Sequence, residues 1–492
     1  MTITTDPMLK RSVDSEAMVP YWDKVDAILD GIEALRAGEA LYMPRFTDET
    51  DAEYKFRLKC TKVTNVYRDI VEGLASKPFE QSVQFVDDQS DKQAGTTPEQ
   101  VKTFSYDVDG SGNDLTVFAA NTFFNGINSA IDWIMVDYDK PDPNVRTLAD
   151  AQRAGLRPYW SHILGRNILD VRSAMIGGEE VLTYVKIFEP GSPDRVREIE
   201  RSNDGVVTWR LYERTDKTRP MGGITGAADT YFAQIDNGTI SIGQIPLVPF
   251  VTGRRDGRSW KFFPAMQDAA DLQIELYQQE SAHKFIKTMA AYPMLAANGI
   301  TPPRGQDGKP DYKAVKVGPT RVLWGSTDTE TGRAGTWQWI QPDANILRYL
   351  SEDINATIQN LRELGRQPLT ASSSNITVIT AAVAAGKAKS AVKAWAYQLK
   401  DALENALVLT AKFMGVTYDP SIHVFTDFDD WMEGEDIDAL LTLSDKRKIS
   451  DETLWEELSR RGVLSTNFTV KRERARLLQQ LPGDDGPDVT EE

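Results

Sequence analysis

Three long segments with helical periodicity dominate the second half of the sequence. Residues 376–414 contain no proline and one glycine, and a helix of this length extends about 58 Å. Residues 264–291, which Pro293 ends, predict a helix of about 42 Å, and residues 343–365 predict another. The helices predicted at 264–291 and 343–365 cannot bury their apolar stripes in a small domain of their own. We therefore expect neighbouring subunits to cover part of their apolar surface.

The helix predicted at 343–365 carries a continuous apolar stripe. Asp343 is a candidate N-cap, and Gly365 and Pro368 end the pattern. The stripe consists of Leu347, Leu350, Ile354, Ile358, Leu361 and Leu364. Spacings of three and four residues place these side chains on one face of the helix.

The first half of the chain predicts a mixture of helices and strands. Helices are predicted at 21–36, 48–74 and 113–130, and an apolar strand at 133–139. Between residues 158 and 254 the apolar residues alternate with a period of two, and Gly, Pro and Asp turns separate the runs. This pattern predicts a β-rich domain, so the fold class is α+β.

Composition restricts the function. The 56 Lys and Arg residues against 73 Asp and Glu give a net charge of −17, which argues against phosphate binding over the whole surface. The single cysteine, Cys60, excludes an internal disulfide, and we expect it to be a buried structural thiol. Three scattered histidines predict no metal cluster, and no cofactor is expected. The sequence shows neither a signal peptide nor an apolar run long enough for a membrane span, which predicts a protein of the cytosol that makes it.

Motifs that would carry chemistry fail on spacing. The segment DVDGSGNDLTVF begins like a calcium loop, but Phe118 stands where a bidentate glutamate is needed, so a turn with a helix cap is expected. The segment AAVAAGKAKS lacks the glycine and the hydroxyl residue of a phosphate loop. The acidic run at 427–436 is expected to be a solvent-exposed start of a helix, and a divalent-cation site or a pair of catalytic carboxylates is the alternative. No catalytic residue is assigned.

Two connections separate the long helices. Residues 293–342 form a proline-bounded insert with strand candidates TRVLWG and TWQWIQ. Residues 366–375, RQPLTASSSN, form a small polar loop between two helical segments.

The order of these parts resembles that of phage portal proteins. Local sequence is also similar to a subgroup of tailed-phage portals, in the segments RPYW…NILDVR (157–172), IPLVPF (245–250), FPAMQDAADLQIELYQQESAHKFIKTMAAYPMLAANG (263–299), NITVITAAVAAGKAKSAV (375–392) and KISDETLWEELSRRGVL (448–464). The resemblance extends over about residues 20–480, and none of its motifs is a catalytic signature.

The resemblance implies a portal fold with defined parts. These are an N-terminal region with an α/β wing at 1–263, a first stem helix at 264–292, a clip at 293–342, a second stem helix at 343–365, a tunnel loop at 366–375, a long wing helix with a following β segment at 376–434, and a short helical crown with an acidic tail at 435–492.

The resemblance also implies a non-enzymatic function. A portal is a ring, usually of twelve identical subunits, at one capsid vertex, and double-stranded DNA is packaged and ejected through it. The implied partners are the terminase large subunit, a head-to-tail adaptor and the major capsid protein, with no membrane. The implied location is the virion, after assembly in the host cytoplasm.

Individual residues acquire expected roles from the resemblance. Those expected to face the channel and its DNA are Arg366, Thr370, Ser372, Ser373, Ser374, Lys387, Lys389 and Lys393. Those expected on the clip, facing the motor or adaptor, are Arg304, Lys309 and Trp324. Alternative interpretations are a solvated lysine face and tryptophan packing within one subunit.

Two other classes of protein remain as alternatives. Long amphipathic helices are also typical of a non-viral cytosolic oligomeric scaffold. An acidic soluble enzyme with a β-rich substrate domain is the second, although it would need a convergent polar site.

Overall fold

The computed structural model describes most of the chain. The described residues are 6–47, 49–86, 97–138, 155–215, 231–291, 294–298, 322–324, 336–340, 344–364, 378–426, 434–460, 473–474 and 476. Together they form an α+β structure, as the sequence predicted.

In the described part of the chain, six α-helices precede the first long strand. They are α1 (Val13–Asp30), α2 (Ile32–Ala37), α3 (Asp51–Cys60), α4 (Val66–Ser76), α5 (Glu99–Phe104) and α6 (Leu115–Ser129). Ser12 caps α1, so this helix begins eight residues before the predicted start and includes Pro20.

The single helix predicted at 48–74 is wrong. The chain leaves α3 after Cys60, and Asn65 caps α4 by accepting a hydrogen bond from the Arg68 N–H. Between the two helices, Thr61 and Thr64 bond to a later helix, through Ser281 at 3.0 Å and Glu280 at 2.9 Å. These tertiary bonds replace helical backbone bonds that the sequence pattern alone favoured.

A three-stranded antiparallel sheet forms the centre of the molecule. Strand β2 (Ile131–Tyr138) lies between β3 (Pro158–Ile163) and β9 (Leu247–Val251). Helix α6 and the last long helix both pack on this sheet. The buried indole of Trp160 donates to Thr410 of that helix at 2.8 Å, so the sheet and the helix are joined by a specific bond as well as by apolar contact.

A five-stranded antiparallel meander forms the second sheet. Its strands follow chain order: β4 (Ile168–Ile176), β5 (Glu179–Glu189), β6 (Arg195–Arg201), β7 (Val207–Thr215) and β8 (Tyr231–Ile240). This confirms the β-rich region that the alternating pattern predicted. Both edge strands, β4 and β8, pair with irregular register, as is common in edges that do not recruit another strand.

Three further sheets are small. Strands β1 (Gln84–Phe85) and β15 (Ile422–His423) pair, as do β10 (Arg254–Arg255) and β11 (Phe262–Phe263). In the insert, β12 (Met294–Asn298) lies between β13 (Val322–Trp324) and β14 (Thr336–Ile340). The last two strands were predicted, whereas the central strand β12 was not.

The three long helices lie close to their predicted bounds. They are α7 (Gln267–Ala291), α8 (Ala344–Leu364) and α9 (Val378–Phe413). Two shorter helices follow, α10 (Gly434–Asp445) and α11 (Asp451–Arg460), and they contact each other. The part of the predicted crown and tail that follows residue 460 lies almost entirely outside the described residues.

Close packing between α6 and β9 yields a stability prediction. Gly126 lies on α6 directly against the fully buried ring of Phe250, which stacks on Phe123 with ring centroids 5.8 Å apart. A methyl group at Gly126 would overlap the Phe250 ring.

We therefore expect Gly126→Ala to destabilise the protein although alanine is the better helix former by about 1 kcal/mol. Overpacking of a rigid core site costs about 1–3 kcal/mol, which is the larger effect. Urea denaturation measures the free energy of unfolding, and Asn121→Ala, at an exposed position on the same helix, is the control. A Gly126→Ala variant as stable as the control would contradict this account.

Candidate functional site

Helices α7 and α8 form an antiparallel pair. The Gln279 Nε2 donates to the Asp353 Oδ2 at 3.0 Å, and one turn further along α7 the His283 Nε2 lies 3.4 Å from the Ser351 Oγ. Residues near 279 on α7 are therefore level with residues near 353 on α8. The insert with strands β12–β14 follows α7 and precedes α8, so it lies at the end of the pair where residues 291 and 344 are found.

The opposite end of the pair is held by the N-terminal helices. The fully buried side chain of Gln273 accepts a bond from the Tyr67 N–H at 2.9 Å and donates to the Thr64 carbonyl at 3.0 Å. Leu276 and Tyr277 are fully buried beside it. The first half of α7 is therefore part of the core, and the two hydrogen bonds of the Gln273 side-chain amide fix its position against the N-terminal helices.

A buried ion pair attaches α3 to the middle of α7. The Arg57 guanidinium is bonded to both carboxylate oxygens of Glu49 at 2.8 Å, donates to the Pro44 carbonyl at 2.9 Å and lies 3.5 Å from the Ser281 hydroxyl. It also stacks on the ring of Phe46, 4.1 Å from the centroid. Hydrogen bonding from Arg57 lowers the pKa of the Glu49 carboxyl. Sequence reasoning missed this pair, because its members belong to a segment that was predicted to be one uninterrupted helix.

The outer half of the helix pair is exposed. On α7, Phe285 is 45% exposed, and on α8, Ile346 and Tyr349 are 46% and 67% exposed. The predicted α8 stripe is fully buried only at Leu361, whereas Leu347, Leu350, Ile354 and Ile358 are half-buried and Leu364 is exposed. Within one chain, α7 alone does not cover the apolar face of α8.

Helix α9 lies partly in the molecular core. From residue 391 onward its buried side chains pack on the central sheet, and the Trp395 indole donates to the Thr252 carbonyl at 3.1 Å. Of the lysines predicted to face a channel, Lys393 is exposed. Lys387 and Lys389 lie on α9, but the structure describes only their backbone.

Most other predicted site residues lie outside the described residues. This holds for Arg366, Thr370, Ser372, Ser373 and Ser374 of the polar loop, and for Arg304 and Lys309 of the insert. Trp324 is the last residue of β13, where its backbone is paired with Ala297 of β12. Their roles remain predictions.

Two expectations about local chemistry have definite outcomes. Cys60 is exposed at the end of α3, so the predicted burial of this thiol is wrong; α3 instead buries Tyr54, Arg57 and Leu58. The Asp107–Asn113 loop is a turn before a capped helix, as predicted: Asp107 and Asp109 accept backbone N–H groups, and Asp114 caps α6.

A cleft of about 800 Å³ separates the two larger sheets. Its lining includes Arg197, whose guanidinium forms ion pairs with Asp137 at 2.6 Å and with Glu189 at 2.7 Å. Within the described ranges, no three His, Cys, Asp or Glu side chains come together as a metal site. In the same ranges, no helix combines the length and apolar character that crossing a membrane requires.

The lowered pKa of Glu49 predicts a pH dependence of stability. A carboxyl whose pKa is lower in the folded than in the unfolded chain stabilises the fold above its unfolded value, about 4.3, and this contribution is lost as pH falls through the folded value. We expect the free energy of unfolding of wild type to exceed that of Glu49→Gln at pH 7, with the difference shrinking below about pH 4. Urea denaturation across this pH range measures it. Glu72→Gln, which changes an exposed carboxylate on α4 outside the buried pair, serves as the control. A difference independent of pH would contradict the assignment.

Comparisons with known proteins concern the helical half of the chain and the overall arrangement. Residues 265–414 match the family described as "Domain of unknown function (DUF4055)". The match begins just before α7 and ends just after α9, so it spans the helix pair, the insert, the polar loop and the long helix. No curated protein matches the sequence.

Similar solved structures come from gene transfer agent (GTA) particles. One is the neck of the native particle with C12 symmetry, at a TM-score of 0.39 and 12% identity, covering 85% of this chain and 90% of the other. A second is the neck of the empty particle with C6 symmetry, at 0.38 and 10%, with the same coverage. A third is the native virion, at 0.35 and 11%, covering 91% and 99%. At TM-scores below 0.5 these likenesses establish neither the fold nor the function of this chain.

Proposed function

We propose that this chain is a phage portal protein, a ring-forming subunit at one capsid vertex whose central channel carries double-stranded DNA. The proposal rests first on the sequence resemblance described above. It rests second on the order of elements, in which an α+β half is followed by a helix, a strand-containing insert, an antiparallel helix and a long helix that returns to the core. That order agrees with wing, stem, clip, stem and wing helix.

The observation that carries the proposal is the uncovered outer half of the α7–α8 pair. Its inner half is anchored by Gln273 and by the Arg57–Glu49 pair, whereas Phe285, Ile346 and Tyr349 are exposed at the outer half. Exposed apolar side chains on both flanks of one helix pair favour contacts with other subunits. In a ring, the neighbouring subunits supply the missing cover, and we expect each contact to bury more than ~2,000 Å², as obligate assemblies do.

The polar loop and the start of α9 are proposed to approach the channel axis. Small side chains at Thr370 and at Ser372–Ser374 would let the loop follow a moving duplex without a fixed docked position. Arg366, Lys387, Lys389 and Lys393 would supply weak phosphate contacts. Twelve copies at −17 carry −204 formal charges, which suits a wall that must not hold DNA tightly, since every phosphate contact adds salt-sensitive affinity.

The insert is proposed to be the clip. Its three-stranded sheet lies at the outer end of the helix pair, away from the α+β half, which is where a docking platform is accessible. Arg304, Lys309 and Trp324 are proposed to face the terminase large subunit during packaging and a head-to-tail adaptor afterwards. The major capsid protein would surround the ring.

The ring itself is the first test of the proposal. Electron microscopy of the purified protein is expected to show closed rings with a central hole, because the outer half of each helix pair needs a neighbour. Sedimentation in physiological salt gives the mass independently. A monodisperse monomer at micromolar concentration would contradict the ring, and with it the proposed channel.

Deletion of residues 371–374 tests the channel half of the proposal. We expect the deletion to leave rings intact, since the loop connects two helices that keep their own contacts, and to impair DNA packaging or retention. The paired variant Lys389→Glu with Lys393→Glu is expected to alter the salt dependence of packaging. The control is Lys412→Glu, which reverses an exposed charge near the far end of the same helix, about 28 Å from Lys393. If the deletion left packaging unchanged, the proposed position of the loop at the channel would be wrong.

A further inference from the structure

One flank of the helix pair combines exposed aromatic side chains with unpaired lysines. Phe56 of α3 is 65% exposed, and Phe46 and Phe285 are 47% and 45% exposed, with their ring centroids 6.4 Å apart. The segments that carry Phe56 and Phe285, and the residues just after α3, also carry the exposed side chains of Lys55, Lys59, Lys62, Lys284 and Lys287. None of these lysines makes an ion pair with any residue in the described ranges. We call this surface the α3 face.

A second exposed surface lies on the outer half of α8. It contains Ile346, Tyr349 and Glu352, and we call it the α8 face. Residues 344–353 carry Glu352 and Asp353 against one cation, Arg348, so the sign of this surface is opposite to that of the lysine-rich α3 face. The Arg348 Nε lies 3.7 Å from the Glu352 Oε1, and both side chains are at least 70% exposed. This ion pair is therefore weak and can rearrange when another surface approaches.

The two faces lie on opposite flanks of the helix pair. On α7, Gln279 and His283 contact α8. Phe285 follows His283 by two residues, about 200° around the helix, so it lies on the side turned away from α8 and toward α3. The order across the layer is therefore α3, α7, α8, with the α3 face at one margin and the α8 face at the other.

The two faces also lie at the same level along the pair. Ser281 of α7 contacts Arg57 and Thr61 of α3. Because His283 is level with Ser351 and Gln279 with Asp353, Ser281 is level with Glu352. Rotation about an axis parallel to the helix pair preserves this level. Complementary surfaces at one level on opposite flanks therefore permit a closed ring, whereas surfaces at different levels would add the axial rise of a helical filament.

We propose that the α3 face of each subunit packs on the α8 face of the next copy, in a head-to-tail contact repeated around the ring. This inference rests on the proposed ring and names the surfaces that close it. The aromatic groups Phe56 and Tyr349 form the apolar centre of the contact. Lysines at its rim face the carboxylates of the neighbouring α8, which opposes the mutual repulsion of subunits that each carry −17.

The single cysteine of the chain provides a direct test. Cys60 is exposed on the α3 face, next to Thr61, which bonds to Ser281 at 3.0 Å. In the Glu352→Cys variant, each subunit carries one thiol on each face. Treatment of assembled rings with a short bis-maleimide is expected to give a ladder of covalent oligomers on a denaturing gel.

Two controls define what the ladder means. Adding Cys60→Ser to Glu352→Cys removes one thiol and should abolish the ladder. The Asp268→Cys variant places the second thiol at another exposed position, about 20 Å along α7 from Ser281, and should give no ladder.

A second experiment uses matched aromatic substitutions. Phe56→Asp and Tyr349→Asp each place a charge in the proposed contact, and both side chains are exposed within one subunit, so the fold is retained. Each is expected to raise the protein concentration needed for half-maximal ring formation by at least about tenfold. Tyr106→Asp, which changes an aromatic side chain that is 76% exposed elsewhere, should leave that concentration unchanged.

The outcomes separate this inference from the proposed function. If wild-type protein forms no rings, both fail. If wild type forms rings but Glu352→Cys gives no ladder, or if Phe56→Asp and Tyr349→Asp assemble like Tyr106→Asp, the ring stands and the α3–α8 contact is overturned. A ladder with both controls clean, together with impaired assembly of both aspartate variants, establishes the contact.

Discussion

The fully buried side chain of Gln273 is the interaction on which the arrangement of the molecule depends. Its carbonyl oxygen accepts from Tyr67 and its amide donates to Thr64, so one side chain of α7 satisfies backbone groups on both sides of the start of α4. A buried amide without its partners is destabilising by about 1–3 kcal/mol, so only one register of α7 against the N-terminal helices satisfies it. That register fixes the direction in which the rest of α7, and with it α8 and the insert, extends.

Beyond this anchor the same helix changes character. Near Gln273 and Tyr277 it packs on one side against the N-terminal helices and on another against α8, and Asp271 and Glu275 mark its exposed side. After Ser281, α7 extends past the N-terminal helices. Its exposed side chains there are Lys284, Phe285, Lys287 and Thr288. A helix that is buried on two sides at one end and on one side at the other shows no single apolar stripe. Its sequence therefore indicates a helix without indicating where the protein interior stops.

Long helices were predictable because proline and glycine mark their ends. The bounds of α7, α8 and α9 lie within three residues of the sequence prediction, next to Pro293, Gly365 and Pro368. The break between α3 and α4 was not predictable, since the bonds of Thr61 and Thr64 go to residues more than two hundred positions away. Strand β12 was missed for a related reason. Its sequence, MLAAN, has weak strand character, and its position is given by pairing with the two more distant strands of the insert.

The sequence predicted that the candidate site contains long helices with apolar surface, but not which side chains of these helices are exposed. Helical spacing identified the apolar stripe of α8, but only the structure shows that its outer members Leu347 and Leu350 are half-buried and that Ile346 and Tyr349, outside the stripe, are exposed. The exposure of Cys60 was not foreseen either, because a residue at the end of a short helix is buried or exposed according to which side the helix packs, and α3 packs through Arg57. The buried Arg57–Glu49 pair thus orients α3 so that Phe56 and the lysines face outward.

Assembly of so acidic a subunit is constrained by charge as well as by apolar surface. Identical copies at −17 repel each other, and the repulsion grows as they are brought together around one axis. Screening by salt weakens this repulsion over distances beyond about 8 Å at physiological ionic strength, but leaves contacts within an interface largely unscreened. Contacts between copies of this chain are therefore favoured at surfaces that bury apolar side chains and also carry local positive charge on one of the two partners. Among the described surfaces, the lysine-rich segments that carry Phe56 and Phe285 provide that combination, at the level where α8 presents Tyr349 and Glu352.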